Sequence, residues 1–252
     1  MDRLNRIWPP LLVLAAVVAI WWIVVVQSGS VIFPTPGQVA AGAMELARDG
    51  TLWEHIAASL LRVATGFLIA VLVALPLGLW MGRVDAAYCT LNPVFQILRP
   101  ISPIAWIPIA ILWFGVGDTS PVFLIFLASV FPMILQTSAG VHAIDGRYLR
   151  AAENFGVPRA KLLRQVIVPA VLPEILTGMR VGLGVAWLVV VAAEMIVRSS
   201  GLGYLIMDAR NAGNRYDLVV AAMIIIGLIG LAIDILMRRL EGLKAVRWRY
   251  GR

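Results

Sequence analysis

The feature that most restricts this chain is the recurrence of long, nearly uncharged apolar runs, at 8–26, 60–81, 95–114, 122–135, 175–196 and 218–237. A bilayer's hydrocarbon core is about 30 Å thick, and a helix needs roughly 20 apolar residues to cross it. With no water present, a spanning backbone must satisfy its own N–H and C=O groups, so such runs fold as helices. The expectation is an all-α integral membrane protein with about six transmembrane helices. Composition agrees, since only 14% of the residues are charged and 61% are hydrophobic, whereas a soluble domain carries about 25% charged residues.

The formal charge of +7 does not point to nucleic acid, because the basic residues form no single aromatic-interleaved patch. They flank the apolar runs instead. With the amino terminus in the cytosol, the cytosolic segments collect Arg3, Arg6, Arg83, Arg147, Arg150, Arg159, Lys161, Arg164, Arg238, Arg239, Lys244, Arg247, Arg249 and Arg252. The opposite side holds only Arg48, Arg198, Arg210 and Arg215. The positive-inside rule selects this topology, with both termini cytoplasmic. The run at 8–26 follows Arg3 and Arg6 as a signal peptide would, yet it is too long and lacks a clear cleavage site, so it is expected to remain as the first span.

Several local signals add detail. Thr35 before Pro36 predicts a capped helix over 36–47 on the outer side. Pro100, Pro103 and Pro108 interrupt the third span, and in lipid that is tolerated where protein or a water-filled cavity supplies partners. Residues 115–121 predict a tight turn in which Ser120 caps the next helix and Pro121 opens it, which accounts for Asp118 without catalysis. The single cysteine, Cys89, excludes an intrachain disulfide and is expected to serve packing. His55 and His142 are too isolated for a metal site, and no nucleophile triad or carboxylate pair can be assembled. The chain also lacks a Gly-x-x-x-x-Gly-Lys-Ser/Thr phosphate loop, its only lysines being Lys161 and Lys244, so energy for uphill transport must come from elsewhere.

The connection over 141–168 is the one place where the sequence turns amphipathic. Tyr148, Ala151, Ala152 and Phe155 recur at i, i+3, i+4 and i+7, with Arg147, Arg150, Glu153 and Asn154 on the other face. Gly156 stands where a left-handed C-cap belongs, and Pro158 suits the first turn of a new helix. That second helix presents Leu162, Leu163, Val166 and Ile167 on one face, and Pro169 is expected to end it. Two short helices meeting at Gly156 make a compact knob, a shape that fits a partner's groove.

The run Arg150-Ala151-Ala152, then Gly156, then Val166-Ile167-Val168-Pro169 resembles the cytoplasmic Glu-Ala-Ala loop of permease subunits in bacterial binding-protein-dependent ATP-binding-cassette importers. The spacing matches, but Arg150 replaces the leading Glu, while Glu153 supplies a carboxylate one turn later. The similarity extends over about 60–241. Arg99-Pro100-Ile101-Ser102-Pro103, Trp113-Phe114-Gly115-Val116-Gly117-Asp118, Gly178-Met179-Arg180-Val181-Gly182 and Ser200-Gly201-Leu202-Gly203-Tyr204 resemble the nitrate, sulfonate and taurine branch.

The resemblance implies the MetI-like permease fold of type I importers, in a bacterial inner membrane. It divides the chain into an N-terminal helix with an external segment (1–58), a permease core (59–241) carrying the coupling loop at 141–169, and a basic cytoplasmic tail (242–252). It implies a transport subunit rather than an enzyme, with no cofactor of its own, and with ATP and Mg bound by two partner ATPase subunits. A second permease copy, an external solute-binding protein and the lipid bilayer complete its partners. Tyr148, Arg150, Ala151, Ala152, Glu153, Phe155, Gly156 and Leu163 are the expected ATPase-coupling residues. For the pathway or gate, Pro103, Trp106, Pro108, Arg180, Gly184, Trp187 and Glu194 are expected, from the prolines, small residues, aromatics and in-span charges. Arg99 and Asp234 are further in-span ions, Asp234 with Arg238 one turn on and Glu194 with Arg198. Competing readings are a secondary transporter or channel needing no ATPase, and a membrane scaffold that transports nothing.

Overall fold

In the computed structural model, residues 2–29, 32–197, 199–211 and 213–242 are described. The helices are α1 (Asp2–Ser28), α2 (Pro36–Arg48), α3 (Thr51–Arg83), α4 (Asp85–Leu98), α5 (Ile107–Phe114), α6 (Thr119–His142), α7 (Gly146–Asn154), α8 (Arg159–Leu162), α9 (Val168–Val197), α10 (Leu202–Asn211) and α11 (Tyr216–Glu241). A 3₁₀ turn, Pro103–Trp106, precedes α5, and a π-turn, Leu163–Ile167, joins α8 to α9. Five stretches are long and apolar enough to cross a membrane, and the bent pair Asp85–Leu98 with Pro103–Phe114 makes a sixth.

The core is a three-helix stack with α6 in the middle, packed along its length against α3 and α9. Its closeness comes from glycines on α3. A Cβ at Gly66 would lie 2.7 Å from the Val122 carbonyl, one at Gly78 would lie 2.8 Å from Thr137, and one at Gly82 would run into Val141. Between membrane helices there is no hydrophobic gain from leaving lipid, so close backbone approach through small residues supplies the packing. On α9, Gly182 does the same against the Ser129 carbonyl. The predicted fourth span thereby lengthens to 119–142, because Ser129, Thr137 and Ser138 are fully buried against neighbours and never meet lipid.

Four local expectations are corrected. The third span is not one kinked helix: α4 and the 103–114 segment meet at 86°. Ser102, preceding a proline, takes an extended conformation (ψ 128°), which forces the break. Pro108 then falls in the first turn of α5, where a missing donor costs nothing. Pro169 does not end the second knob helix. The π-turn widens the ladder, so that the Val168 N–H bonds to the Leu163 carbonyl, and the missing donor at Pro169 is absorbed as the chain runs on into α9. Ser120 is not a cap, because α6 begins at Thr119; its hydroxyl lies 2.6 Å from the Gly115 carbonyl and 3.1 Å from that of Ala110, tying the end of α5 to α6. Cys89 is exposed on α4 rather than packed.

The cap at Thr35 forms as expected. Its hydroxyl accepts the Gln38 N–H while Gln38 Oε1 accepts the Thr35 N–H at 2.8 Å, a complete capping box. Thr35→Ala should therefore destabilise α2 by about 1 kcal/mol, seen as weaker hydrogen-exchange protection at 36–42; unchanged protection there would show the box to be idle. Arg215 then clamps α2 to α11, reaching Glu45 at 2.7 Å and Asp217 at 2.8 Å. That guanidinium holds the Glu45 carboxyl below the usual carboxylate range. By contrast α1 is exposed along nearly its whole length, with Val25 its one buried residue among those described.

Candidate functional site

The knob is built at the turn after α6. The Asp145 carboxylate accepts the Arg147 N–H at 2.9 Å and its guanidinium at 2.8 Å, starting α7. That guanidinium holds the exposed Asp145 carboxyl below its usual range. At the far end Gly156 has φ +69°, the left-handed conformation expected of a C-cap, and the Val157 N–H returns to the Ala152 carbonyl at 3.1 Å. Leu162, Ile167, Val171 and Ile175 form the buried base with Val141, and Ile144, Leu149, Ala152 and Val157 pack against it. The knob is thus attached to α6 and α9 by an apolar cluster of its own.

Which face of α7 is buried differs from expectation. The inward edge carries Leu149 and Ala152, whereas Tyr148 is 68% exposed and Phe155 87% exposed. Ala151 and Arg150 also face outward. Of the stripe expected at Tyr148, Ala151, Ala152 and Phe155, only Ala152 packs inward, because a nine-residue helix lying on the bundle buries a single edge and that edge runs through Leu149 and Ala152. Leu163 is 39% exposed. Glu153 belongs to α7, and its side chain lies outside the described residues.

A second constellation sits at the other end of the bundle, and sequence reasoning missed its centre. Arg62 of α3 is 5% exposed and pairs with fully buried Glu194 of α9. Its Nε donates to Asp118 Oδ1 at 2.7 Å, Nη1 to the Ser200 carbonyl at 2.9 Å and Nη2 to Ser200 Oγ at 2.6 Å. Ser59 Oγ lies 2.8 Å from Glu194 Oε2 and accepts the Leu202 N–H at 2.9 Å. Glu194 also accepts the Gly203 N–H at 3.1 Å, and His55 Nδ1 accepts that of Gly201 at 3.0 Å. The Ser-Gly-Leu-Gly turn is therefore stitched to α3 and α9 through successive backbone amides. Gly201 is required there, at φ +110° with its α-carbon against the Glu194 carboxylate. The available signal was an arginine two residues into an apolar run, expensive in a membrane unless partnered.

The remaining pathway candidates scatter. Glu194 belongs to this network, and Arg198 lies outside the described residues. Trp187 is 5% exposed and donates its indole N–H to the Ile226 carbonyl at 3.1 Å, so it fastens α9 to α11. Arg180 pairs with Glu241 at 3.1 Å. Pro103 and Trp106 are half-buried. Gly184 and Pro108 are exposed, and a Cβ at Gly184 would meet nothing within 4 Å. Asp234 bonds Arg238 at 2.7 Å along α11, as the spacing predicts.

The family model described as the inner membrane component of binding-protein-dependent transport systems matches residues 74–244. The taurine transport system permease protein of Escherichia coli (strain K12) is 38% identical over 235 residues, covering 90% of this chain and 85% of the relative. A putative aliphatic sulfonates transport permease protein of Bacillus subtilis (strain 168) is 35% identical, over 95% of this chain and 87% of its own. The nitrate import permease protein of Synechocystis sp. is 33% identical, over 93% and 88%. Among solved structures, inward-facing MetNI methionine ABC transporter aligns with a TM-score of 0.54 at 20% identity, over 77% of this chain and 95% of that one.

Proposed function

The chain belongs to the family of binding-protein-dependent transport system inner membrane components, and from that membership we propose that its exposed knob receives force from separate ATP-hydrolysing subunits. It is a multi-pass permease subunit of an ATP-binding-cassette importer with the MetI-like fold. The solute is a small anion or zwitterion of the nitrate, sulfonate and taurine group, the range spanned by the relatives' names. Two ATPase subunits, binding ATP and Mg, lie beneath the inner membrane, a solute-binding protein docks outside, and a second copy of this chain completes the pathway. Both termini are cytoplasmic.

One observation carries the coupling assignment. Tyr148 and Phe155 stand in solvent on a helix whose opposite edge is anchored in its own apolar cluster. Exposed aromatics on a rigid base are what a partner's groove takes up, and such residues carry a large share of interface energy. Arg150, Ala151 and Leu163 border them, and Gly156 sets the angle between the two limbs of the knob. Closure of the ATPase pair on nucleotide would push this knob as a lever and shift the helices between inward-open and outward-open packings. In the pathway, Pro108 and Gly184 are the residues we assign, both being exposed on this chain.

The test is the double variant Tyr148→Ala and Phe155→Ala. Loss of two hot-spot aromatics, each worth about 2 kcal/mol or more, should lower ATPase co-purification by more than tenfold and abolish uptake. Membrane insertion and thermal midpoint should stay at parental values, because both residues are largely exposed and neither belongs to the apolar cluster at the base of the knob. Parental uptake by the double variant would remove the lever from consideration.

A further inference from the structure

We propose that His55 is a proton-sensitive latch: in its neutral form it holds the 200–203 turn to α3, and taking up a proton releases that hold. His55, Ser59 and Arg62 recur at i, i+4 and i+7, so they share one face of α3. Along that face the Gly201 N–H reaches His55 Nδ1 at 3.0 Å and the Leu202 N–H reaches Ser59 Oγ at 2.9 Å. One turn further on, Arg62 donates to the carbonyl and the hydroxyl of Ser200. The amides that open α10, which no carbonyl of their own helix can satisfy, thus find acceptors on a neighbouring one.

A backbone amide can only donate. Nδ1 must therefore present a lone pair, which fixes His55 as the neutral tautomer with its proton on Nε2. Ser59 and Arg62 keep their bonding roles across the physiological range, whereas an ordinary imidazole gains its second N–H near pH 6.5. A protonated ring would point one N–H at another, and it would set a positive charge at the amino end of α10, the positive end of that helix's dipole. Gly201 cannot turn its amide elsewhere, because its α-carbon is held at φ +110° against the Glu194 carboxylate. The charged groups that bear on the ring are Glu54 and Arg62 of its own helix and Asp208 of α10. Both carboxylates attract a proton to it, but Glu54 and Asp208 are exposed and screened by solvent, and Asp208 already accepts the Tyr204 hydroxyl at 3.2 Å. Tyr204 stands with its ring 5.9 Å from the imidazole. From α9, Glu194 is engaged by Arg62, Ser59 and the Gly203 N–H. His55 is half-buried, so a proton from solvent can reach it. The latch is closed above about pH 6.5 and opens as the pH falls below it.

The test follows amide hydrogen exchange in the assembled importer by mass spectrometry, in overlapping peptides across 199–205 at about pH 7.5 and about pH 5.5, with rates corrected for intrinsic exchange. Protection of the parental Gly201 amide should fall about tenfold at the lower pH, the upper range for one lost hydrogen bond. His55→Asn puts an amide oxygen where Nδ1 stood, an acceptor at either pH, and should keep the parent's neutral-pH protection under both conditions. His55→Leu should show the weak protection under both; should that variant fail to fold, the asparagine variant alone decides. His142 is the only other histidine and lies beside Asp85 and Tyr88 at the end of α6, so His142→Asn should leave the pH response in place. Equal protection of the parental Gly201 amide at the two pH values overturns the proposal. So does a pH response that survives in His55→Asn, that vanishes in His142→Asn, or full protection in a folded His55→Leu. Because the turn lies at the opposite end of the bundle from the knob, none of these readings depends on the coupling assignment.

Discussion

Arg62→Met is expected to be the most damaging single polar substitution in this protein. It leaves Glu194, with none of its surface exposed, without the guanidinium that neutralises it, while Ser200 and Asp118 lose their donor. Breaking a buried ion pair by removing one partner costs about 3–5 kcal/mol, because the remaining charge stays desolvated. Little folded, monodisperse protein should be recovered after extraction, and its thermal midpoint should fall well below the parent's. Adding Glu194→Gln to Arg62→Met should recover much of the loss, since a neutral amide keeps partners in Ser59 Oγ and the Gly203 N–H without the buried charge. Asp118→Asn should matter far less. The Asp118 side chain is 61% exposed, and an exposed ion pair contributes about 0–1 kcal/mol. A parental midpoint for Arg62→Met would show that the network does not hold α10 to the start of α3 and the end of α9.

Gly82→Leu should be comparably severe for a different reason. The new side chain would occupy the space of Val141 and the Ser138 carbonyl on α6, so the carboxyl-terminal ends of α3 and α6 would have to separate. Overpacking a tight contact costs about 1–3 kcal/mol and more where backbone blocks the new atoms. Here a backbone carbonyl is among the obstacles. The base of the knob includes Val141 as well, so the displaced helix would disturb the proposed coupling surface. Gly184→Leu is the control, for its Cβ meets nothing within 4 Å. It should fold with a midpoint near the parent's, and in the assembled importer it should reduce uptake if Gly184 faces the pathway. Equal thermal midpoints for Gly82→Leu and the parent would contradict the close α3–α6 contact.

Much of the architecture was legible in the residues. Apolar length and the distribution of arginines carried the helices, their approximate number and the place of the knob. The glycine at 156 could be read as a left-handed cap because few other residues adopt that conformation cheaply. Family membership was legible for a related reason: the loop's spacing depends on local helix geometry, which survives replacement of its leading Glu by Arg150. The prolines were read less well. Pro100, Pro103 and Pro108 were expected to distort one span, and Pro169 to end a helix. Whether a proline breaks, starts or is absorbed by a helix depends on the turn around it. At 102 that turn is extended, and at 163–167 it is a π-turn.

The chain by itself determined what is local or periodic: a membrane as solvent, helical spans, capped turns at Thr35 and Gly156, and the ion pair of Asp234 with Arg238. Only the tertiary structure decided which edge of the knob helix is left outside, that Trp187 fastens two helices, and that Arg62 answers Glu194 from 132 residues away. The reason is physical. Hydrophobic period reports that a face avoids water or seeks neighbours, but a buried charge is stabilised by whichever opposite charge the packing brings within reach, and chain distance carries no record of that choice.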